Sequence, residues 1–238
     1  MTWSIIARDV EHGKFGIAVA TRFFAVGALV PHTRSGIGAI ATQALINPFF
    51  GGQGLALLQK GQSAAEVTAT LVAADTGRAH RQLHVMDRQG RTAAHTGDAC
   101  VDWCGVICEP NLSVAGNMLA NANVIAATAA AFREQAKMPF ARRLIAAMKA
   151  GETAGGDKRG KQSAALVIQG AEDWPDLSLR VDDHPDPLAE LDRLESVSRE
   201  RFVHFMQFLP SHENPAGITD RGSIEAGIQK ALSERPRP

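Results

Sequence analysis

The second residue is the first place where this chain could do chemistry. A small residue after Met1 is accepted by methionine aminopeptidase, so Met1 is expected to be removed and Thr2 to become the terminus. That would place a hydroxyl and a free α-amine on one residue. An α-amine titrates at about 7.7–8.0, so a useful fraction is neutral at cellular pH and can take the hydroxyl proton as general base. One residue then supplies both nucleophile and base. Many chains begin Met-Thr, and taken alone the pair selects nothing.

Other spacings suggest chemistry and fail on context. Gly155 to Lys161 matches G-x-x-x-x-G-K, but Gln162 follows where a magnesium-holding Ser or Thr is required. A helix is also expected before it and a strand after it, the reverse of a phosphate-binding loop. Gly36-Ile-Gly38 imitates a dinucleotide fingerprint inside a strand, with no acidic residue about twenty positions on. Cys100, Cys104 and Cys108 recur every fourth residue without C-x-x-C pairs or a fourth ligand, so buried small apolar side chains are expected there and no metal site. His80, His84 and His95 have no carboxylate at ligand spacing and read as surface or hydrogen-bonded structural histidines. No G-x-S-x-G frame is present. No cofactor or metal is expected.

The elements that must position Thr2 follow from periodicity. Thr2 to Asp9 and Phe15 to Thr21 read as a strand pair around Glu-His-Gly, and Ile37 to Gln43 as a third strand. Gly54 to Lys60 and Ser63 to Ala74 have helical spacing, the second with a Ser63/Glu66 capping box. Strands are expected over 82–87, 92–96, 105–109 and 112–116, and helices over 123–137 and 139–150, the latter ending at Gly151. Strands over 163–169 and 177–181 and a helix over 187–208 complete the order βββ, αα, ββββ, αα, ββ, α. Blocked strands and helices exclude a doubly wound parallel sheet. They predict an α+β fold, a four-layer α/β/β/α sandwich over residues 1–209, followed by a polar, flexible tail over 210–238.

Charge and composition narrow the class. The 238 residues carry 25 basic and 25 acidic side chains, with 45% hydrophobic and 21% charged. That is ordinary globular usage, and a net charge of zero gives no field for nucleic acid or an anionic membrane surface. The basic n-region of a signal peptide and an apolar run of bilayer length are both missing, so a cytoplasmic location is expected. Three cysteines, an odd count, agree with a reducing compartment.

Thr-Trp-Ser-Ile-Ile-Ala-Arg-Asp from Thr2, Ile-Ala-Val-Ala-Thr-Arg-Phe-Phe-Ala-Val-Gly-Ala-Leu-Val-Pro from Ile17, and Gly-Ile-Gly-Ala-Ile-Ala-Thr-Gln from Gly36 resemble the domain of unknown function 1028 family. Gly116 to Ala120 and Ala154 to Ala165 belong to the same pattern, and the resemblance runs to about Leu194. It implies an Ntn-hydrolase-like (N-terminal nucleophile) fold, again the α/β/β/α sandwich. By the more distant resemblance to proteasome-type Ntn hydrolases, Thr2 is the nucleophile and Arg34 stands where they place a lysine, able to stabilise negative charge but not to shuttle a proton. Asn117 takes the place of a serine, and Asp157 and Ser163 resemble the residues that orient the terminal amine. The acid those enzymes carry in their second strand is replaced by Ala20. Gln43 and Asn117, with backbone N–H groups around Asn47 to Gly52, are candidate oxyanion donors, and Gln43, Asn47 and Arg159 candidate substrate contacts.

The expected function is therefore an Ntn-type amidohydrolase cleaving a small-molecule amide or peptide-like bond through Thr2, in a homo-oligomer. The alternative is a ligand-binding or assembly module that keeps the fold without catalysis. Were Met1 retained, Ser163 or Ser4 would be the rival nucleophiles.

Overall fold

Side chains from Thr2 to Asp9 alternate between two buried faces, and that alternation organises the first 191 residues. In the computed structural model, which describes residues 2–234, this segment is β1 (Thr2–Asp9). It pairs antiparallel with β2 (Lys14–Thr21) on one side and β8 (Leu112–Asn117) on the other. Met1 and residues 235–238 lie outside the described residues, and so does the expected loss of Met1. With β7 (Gly105–Glu109), β9 (Ser163–Gln169) and β10 (Leu177–Val181) these strands form a six-stranded sheet in the order β10-β9-β2-β1-β8-β7. A second sheet holds β3 (Pro31–Arg34), β4 (Gly38–Ala44), β5 (Arg81–Asp87) and β6 (Thr92–Thr96) in sequence order. All pairings among these strands are antiparallel. The chain is α+β.

Helices α1 (Phe49–Gln59) and α2 (Ala64–Ala74) lie against the second sheet, and α3 (Asn123–Glu134) and α4 (Phe140–Thr153) against the first. The α2 capping box forms as expected: Ser63 Oγ accepts the Glu66 N–H, and the Glu66 carboxylate takes the Ser63 N–H at 2.7 Å. The two sheets also contact each other, chiefly through β1, β2 and β8 with β4 and β5. Ile6, Ile17, Val19, Ala39, Ala41 and Met86 fill that inter-sheet layer, while Ile40, Phe50, Leu55, Val67 and Leu83 fill the layer beneath α1 and α2. Strands buried on both faces need no polar alternation, hence their Ala, Ile and Val composition.

Several elements depart from the periodicity. Pro31 to Arg34 is a strand that its polar residues concealed; it is the edge of its sheet, where proline as first residue is tolerated. α1 begins at Phe49 rather than Gly54. α4 runs through Gly151 to Thr153, and Gly151 is there for space: a Cβ would stand 2.2 Å from Thr128 Oγ1 and 2.9 Å from Trp3 Nε1. The exit from the helix falls instead to Gly155 and Gly156, with φ of 126° and 52°. The helix expected over 187–208 is interrupted. α5 (Pro187–Ser198) is followed by α6 (Phe202–Phe205) and a 3-10 turn over Met206–Phe208.

The chain divides into two compact units, the second starting at Asp192. Within that second unit α7 (Arg221–Ser233) is capped by Asp220, which accepts the Ser223 N–H, and Arg201 pairs with Glu225 at 2.8 Å. This helix lies in a stretch where the sequence predicts only a polar tail. Among the described residues no helix is long and apolar enough to cross a membrane.

Candidate functional site at the head of the first strand

Antiparallel register puts four polar residues in one row across the larger sheet. Ser163 of β9 faces Thr21 of β2, Thr2 of β1 faces Asn117 of β8, and the Trp3↔Ala20 pairing sets Thr2 beside Thr21. Directly paired residues point to one face, here the inter-sheet face. Thr2 Oγ1 donates to Thr21 Oγ1 at 3.2 Å, and both residues are buried. From the second sheet Gln43 reaches the same point: its Nε2 donates to the Thr2 carbonyl at 3.4 Å, as does Asn117 Nδ2. The structure thus brings Thr2, Gln43 and Asn117 together.

The inter-sheet layer is graded along β1. Around Ile17, Val19, Ala39 and Met86 it is apolar; toward the Thr2 end Ser4, Gln43, Gln82, His84 and Ser113 replace aliphatic side chains, all with 0% exposure. Their hydrogen bonds form one chain whose proton positions follow from a single anchor. Gln82 Nε2 lies 2.9 Å from the Gly116 carbonyl and 3.3 Å from that of Gly105. Carbonyls only accept, so this side of the amide must be nitrogen. Gln82 Oε1 therefore accepts from Gln43 Nε2 at 2.8 Å and Asn117 Nδ2 at 2.9 Å. Gln43 Oε1 is left to accept the Ser4 hydroxyl at 2.7 Å. With its proton directed there, Ser4 Oγ accepts a hydrogen bond from His84 Nε2–H at 2.8 Å, and His84 Nδ1 accepts one from Ser113 Oγ at 2.8 Å.

His84 is thereby fixed as the neutral Nε2–H tautomer. Burial pushes its pKa down to about 3. The unfolded chain protonates this ring at about pH 6.5 and the folded chain does not. Its contribution to stability is therefore complete above pH 6.5 and is lost as pH falls from there toward 3, at up to about 1.4 kcal/mol per pH unit. Urea unfolding at pH 7 and pH 5 should show the wild type losing about 1–2 kcal/mol more than His84→Gln. Equal losses would contradict the neutral buried ring.

The remaining expected site residues are placed otherwise. Arg34 is exposed and donates to Gln59 Oε1 at 2.7 Å. It pairs with Gly38, five residues from Gln43 along β4, or roughly 17 Å at ~3.3 Å per residue, so it does not reach Thr2. The Asp157 carboxylate is buried and occupied by the Arg22 N–H at 2.8 Å, the Arg159 N–H at 2.9 Å and the Arg159 guanidinium at 3.3 Å. Asp157 and Arg159 hold a loop. Ser163 Oγ donates to the Phe23 carbonyl at 2.5 Å and accepts from the Val26 N–H at 3.1 Å, pinning the segment after β2. Asn47 Oδ1 accepts the Phe49 N–H and its Nδ2 bonds Asp75, so it anchors the start of α1. Neither Ser163 nor Ser4 is disposed as a nucleophile, since each hydroxyl proton is given to an acceptor that is not a base. Gln43 and Asn117 are not oxyanion donors here, because both N–H groups of each are committed to the Thr2 carbonyl and Gln82.

Among the described residues four non-glycine positions have left-handed φ, and three of them follow these strand ends: Ala25 at 53°, Ala44 at 69° and Met118 at 57°. Such conformations cost about 1–3 kcal/mol each and concentrate where a site is held rigid. Around them Phe23, Phe24, Leu45 and Val101 are exposed. Thr21 and Gln82 belong to the constellation and were not singled out by the sequence; the available signal was polar residues on the inter-sheet face of otherwise apolar strands. Of the cysteines, Cys108 is exposed and the others half-buried, not buried as expected, and burial pushes the Cys100 and Cys104 thiols up. No group of three or more His, Cys, Asp or Glu residues among the described ones could hold a metal ion. Lys161 of the phosphate-loop spacing is spent on Glu152 and Asp186, both at 3.1 Å.

Comparison with protein families gives a match over residues 2–191. Among solved structures, a crystal structure of a protein from Silicibacter pomeroyi carrying the same family model is 33% identical. The match covers 92% of this chain and 99% of that one, with a TM-score of 0.85. The ancestral beta-subunit Anbu from Yersinia bercovieri is 13% identical over 89% of this chain and 99% of that one, with a TM-score of 0.36. No curated protein matches.

Proposed function

The chain belongs to the family of unknown function (DUF1028), and from the geometry at the head of β1 we propose that it is an Ntn-type amidohydrolase whose nucleophile is Thr2 after removal of Met1. The observation that carries this reading is the placement of Thr2: first residue of β1, side chain in the inter-sheet layer, hydroxyl on Thr21 and carbonyl held by two side-chain amides. Two sheets in contact, each with a helix pair against it, are what the α/β/β/α sandwich of that superfamily requires.

In the proposed reaction Thr2 Oγ attacks the amide carbon and its proton passes to the α-amine of the same residue. The amine returns that proton to the departing amide nitrogen, the C–N bond breaks, and an ester to Thr2 remains. Water, deprotonated by the same amine, cleaves the ester and restores the hydroxyl. Gln43 and Asn117 fix the Thr2 carbonyl and so orient amine and hydroxyl toward one point. The exposed apolar side chains at the strand ends favour a small amide with an uncharged, apolar acyl group.

The test is labelling with an electrophilic β-lactone. The expected result is one adduct per chain, mapped to Thr2 and absent from Thr2→Ala. No adduct on a chain lacking Met1 would overturn the proposal in favour of a binding or assembly module.

A further inference from the structure

Arg8 lies six residues from Thr2 on the same strand, roughly 20 Å away at ~3.3 Å per residue. A separate cleft of about 420 Å³ opens there, with Arg8, Glu109, Asn111, Phe132, Arg133 and Arg143 in its wall. Three guanidinium groups and one carboxylate share this space. Arg133 is satisfied: its Nε and Nη2 fork onto Glu109 at 3.0 and 2.6 Å. Arg143 gives its Nε to the Phe132 carbonyl at 2.5 Å and stacks its guanidinium carbon 3.7 Å from the Phe132 ring centroid. Arg8 Nε is buried without a hydrogen-bond partner. Among the described residues neither Arg8 nor Arg143 is paired with a carboxylate. Asp9, whose charge acts on Arg143 from a distance, is taken by the His12 N–H at 3.2 Å and His12 Nδ1 at 2.8 Å.

Both arginines are half-buried, and a guanidinium partly withdrawn from water is favoured by a nearby counter-charge. Burial of Arg143 is strong enough to push its pKa down. Two guanidinium groups without a paired carboxylate beside one cleft, one of them with a buried, unpartnered Nε, attract negative charge, and a guanidinium fork matches the oxygens of a carboxylate or a phosphate. The cleft exceeds a bare ion and lies within the range of small-molecule sites, about 300–1,000 Å³. Phe132 and Leu112 supply apolar wall.

We propose that this cleft binds a small organic anion, its carboxylate or phosphate group held between Arg8 and Arg143 and its apolar body against Phe132, independently of Thr2. Calorimetric titration of the full chain with inorganic phosphate, phenyl phosphate and benzoate at fixed ionic strength tests it. The expected result is saturable one-to-one binding of phenyl phosphate or benzoate, and the preferred one of the two identifies the headgroup. Arg8→Met and Arg143→Met should each weaken binding at least tenfold, whereas Arg142→Met and Thr2→Ala should leave it unchanged. In anion-free buffer Arg8→Met should melt no lower than wild type, since it removes an unpaired buried donor; this separates lost binding from lost folding. Failure of both organic anions to saturate, or binding that survives Arg8→Met and Arg143→Met, would overturn the proposal, as would Arg8→Met melting well below wild type without anion.

Discussion

Gln82→Leu should lower the unfolding free energy by about 3 kcal/mol or more. Gln82 is the anchor of the buried polar layer: its nitrogen serves Gly116 and Gly105, and its oxygen serves Gln43 and Asn117. Leucine fills the space and leaves two N–H groups and two carbonyls without their Gln82 partner in the inter-sheet layer. Each such group costs about 1–3 kcal/mol. Gln82→Glu, of the same shape, should be no better, because it has no N–H to offer Gly116 and brings a charge. A loss under about 1 kcal/mol in urea titration of Gln82→Leu would show that the layer is not organised around this residue. The same variant frees Gln43 and Asn117 from their orientation and should slow β-lactone labelling of Thr2.

Thr2→Val should abolish turnover while sparing the fold. The substitution keeps shape and removes a hydroxyl that donates to another hydroxyl, so unfolding should change by no more than about 1.5 kcal/mol. Hydrolysis of any amide that the wild type turns over should fall about a thousandfold or more, as when a covalent nucleophile is deleted. Thr2→Ser, which restores the nucleophile, should recover most of it. Turnover by Thr2→Val within about tenfold of wild type would remove the Thr2 hydroxyl from the chemistry.

Much of the frame was legible in the sequence because strands buried on both faces and capped amphipathic helices leave strong local signals. Ser63 and Glu66 mark the start of α2 within one residue, and β9 and β10 have the expected limits. What failed was punctuation by glycine and proline. Gly151 looks like a helix end and is a close-packing position against Trp3 and Thr128; Pro31 looks like a loop and opens an edge strand. The site divides the same way. Thr2, Gln43 and Asn117 stand out in the sequence, but their juxtaposition is not legible there, since it depends on the register of β1 with β8 and on the reach of Gln43 from the other sheet. The resemblance to proteasome-type Ntn hydrolases places Arg34 by its distance along the chain, and only the pairing of β3 with β4 shows that it stands at the opposite end of β4 from Gln43. Asp157 and Ser163 lie close to the row in sequence register, yet their hydrogen bonds stabilise the loops on either side.

The proposed chemistry turns on whether the threonine amine exists. Intact mass of the protein purified from its own host decides it. The expected mass is short by one methionine residue, with Thr2 read first in sequencing. A mass that still includes Met1 would leave Thr2 without its base and contradict the mechanism.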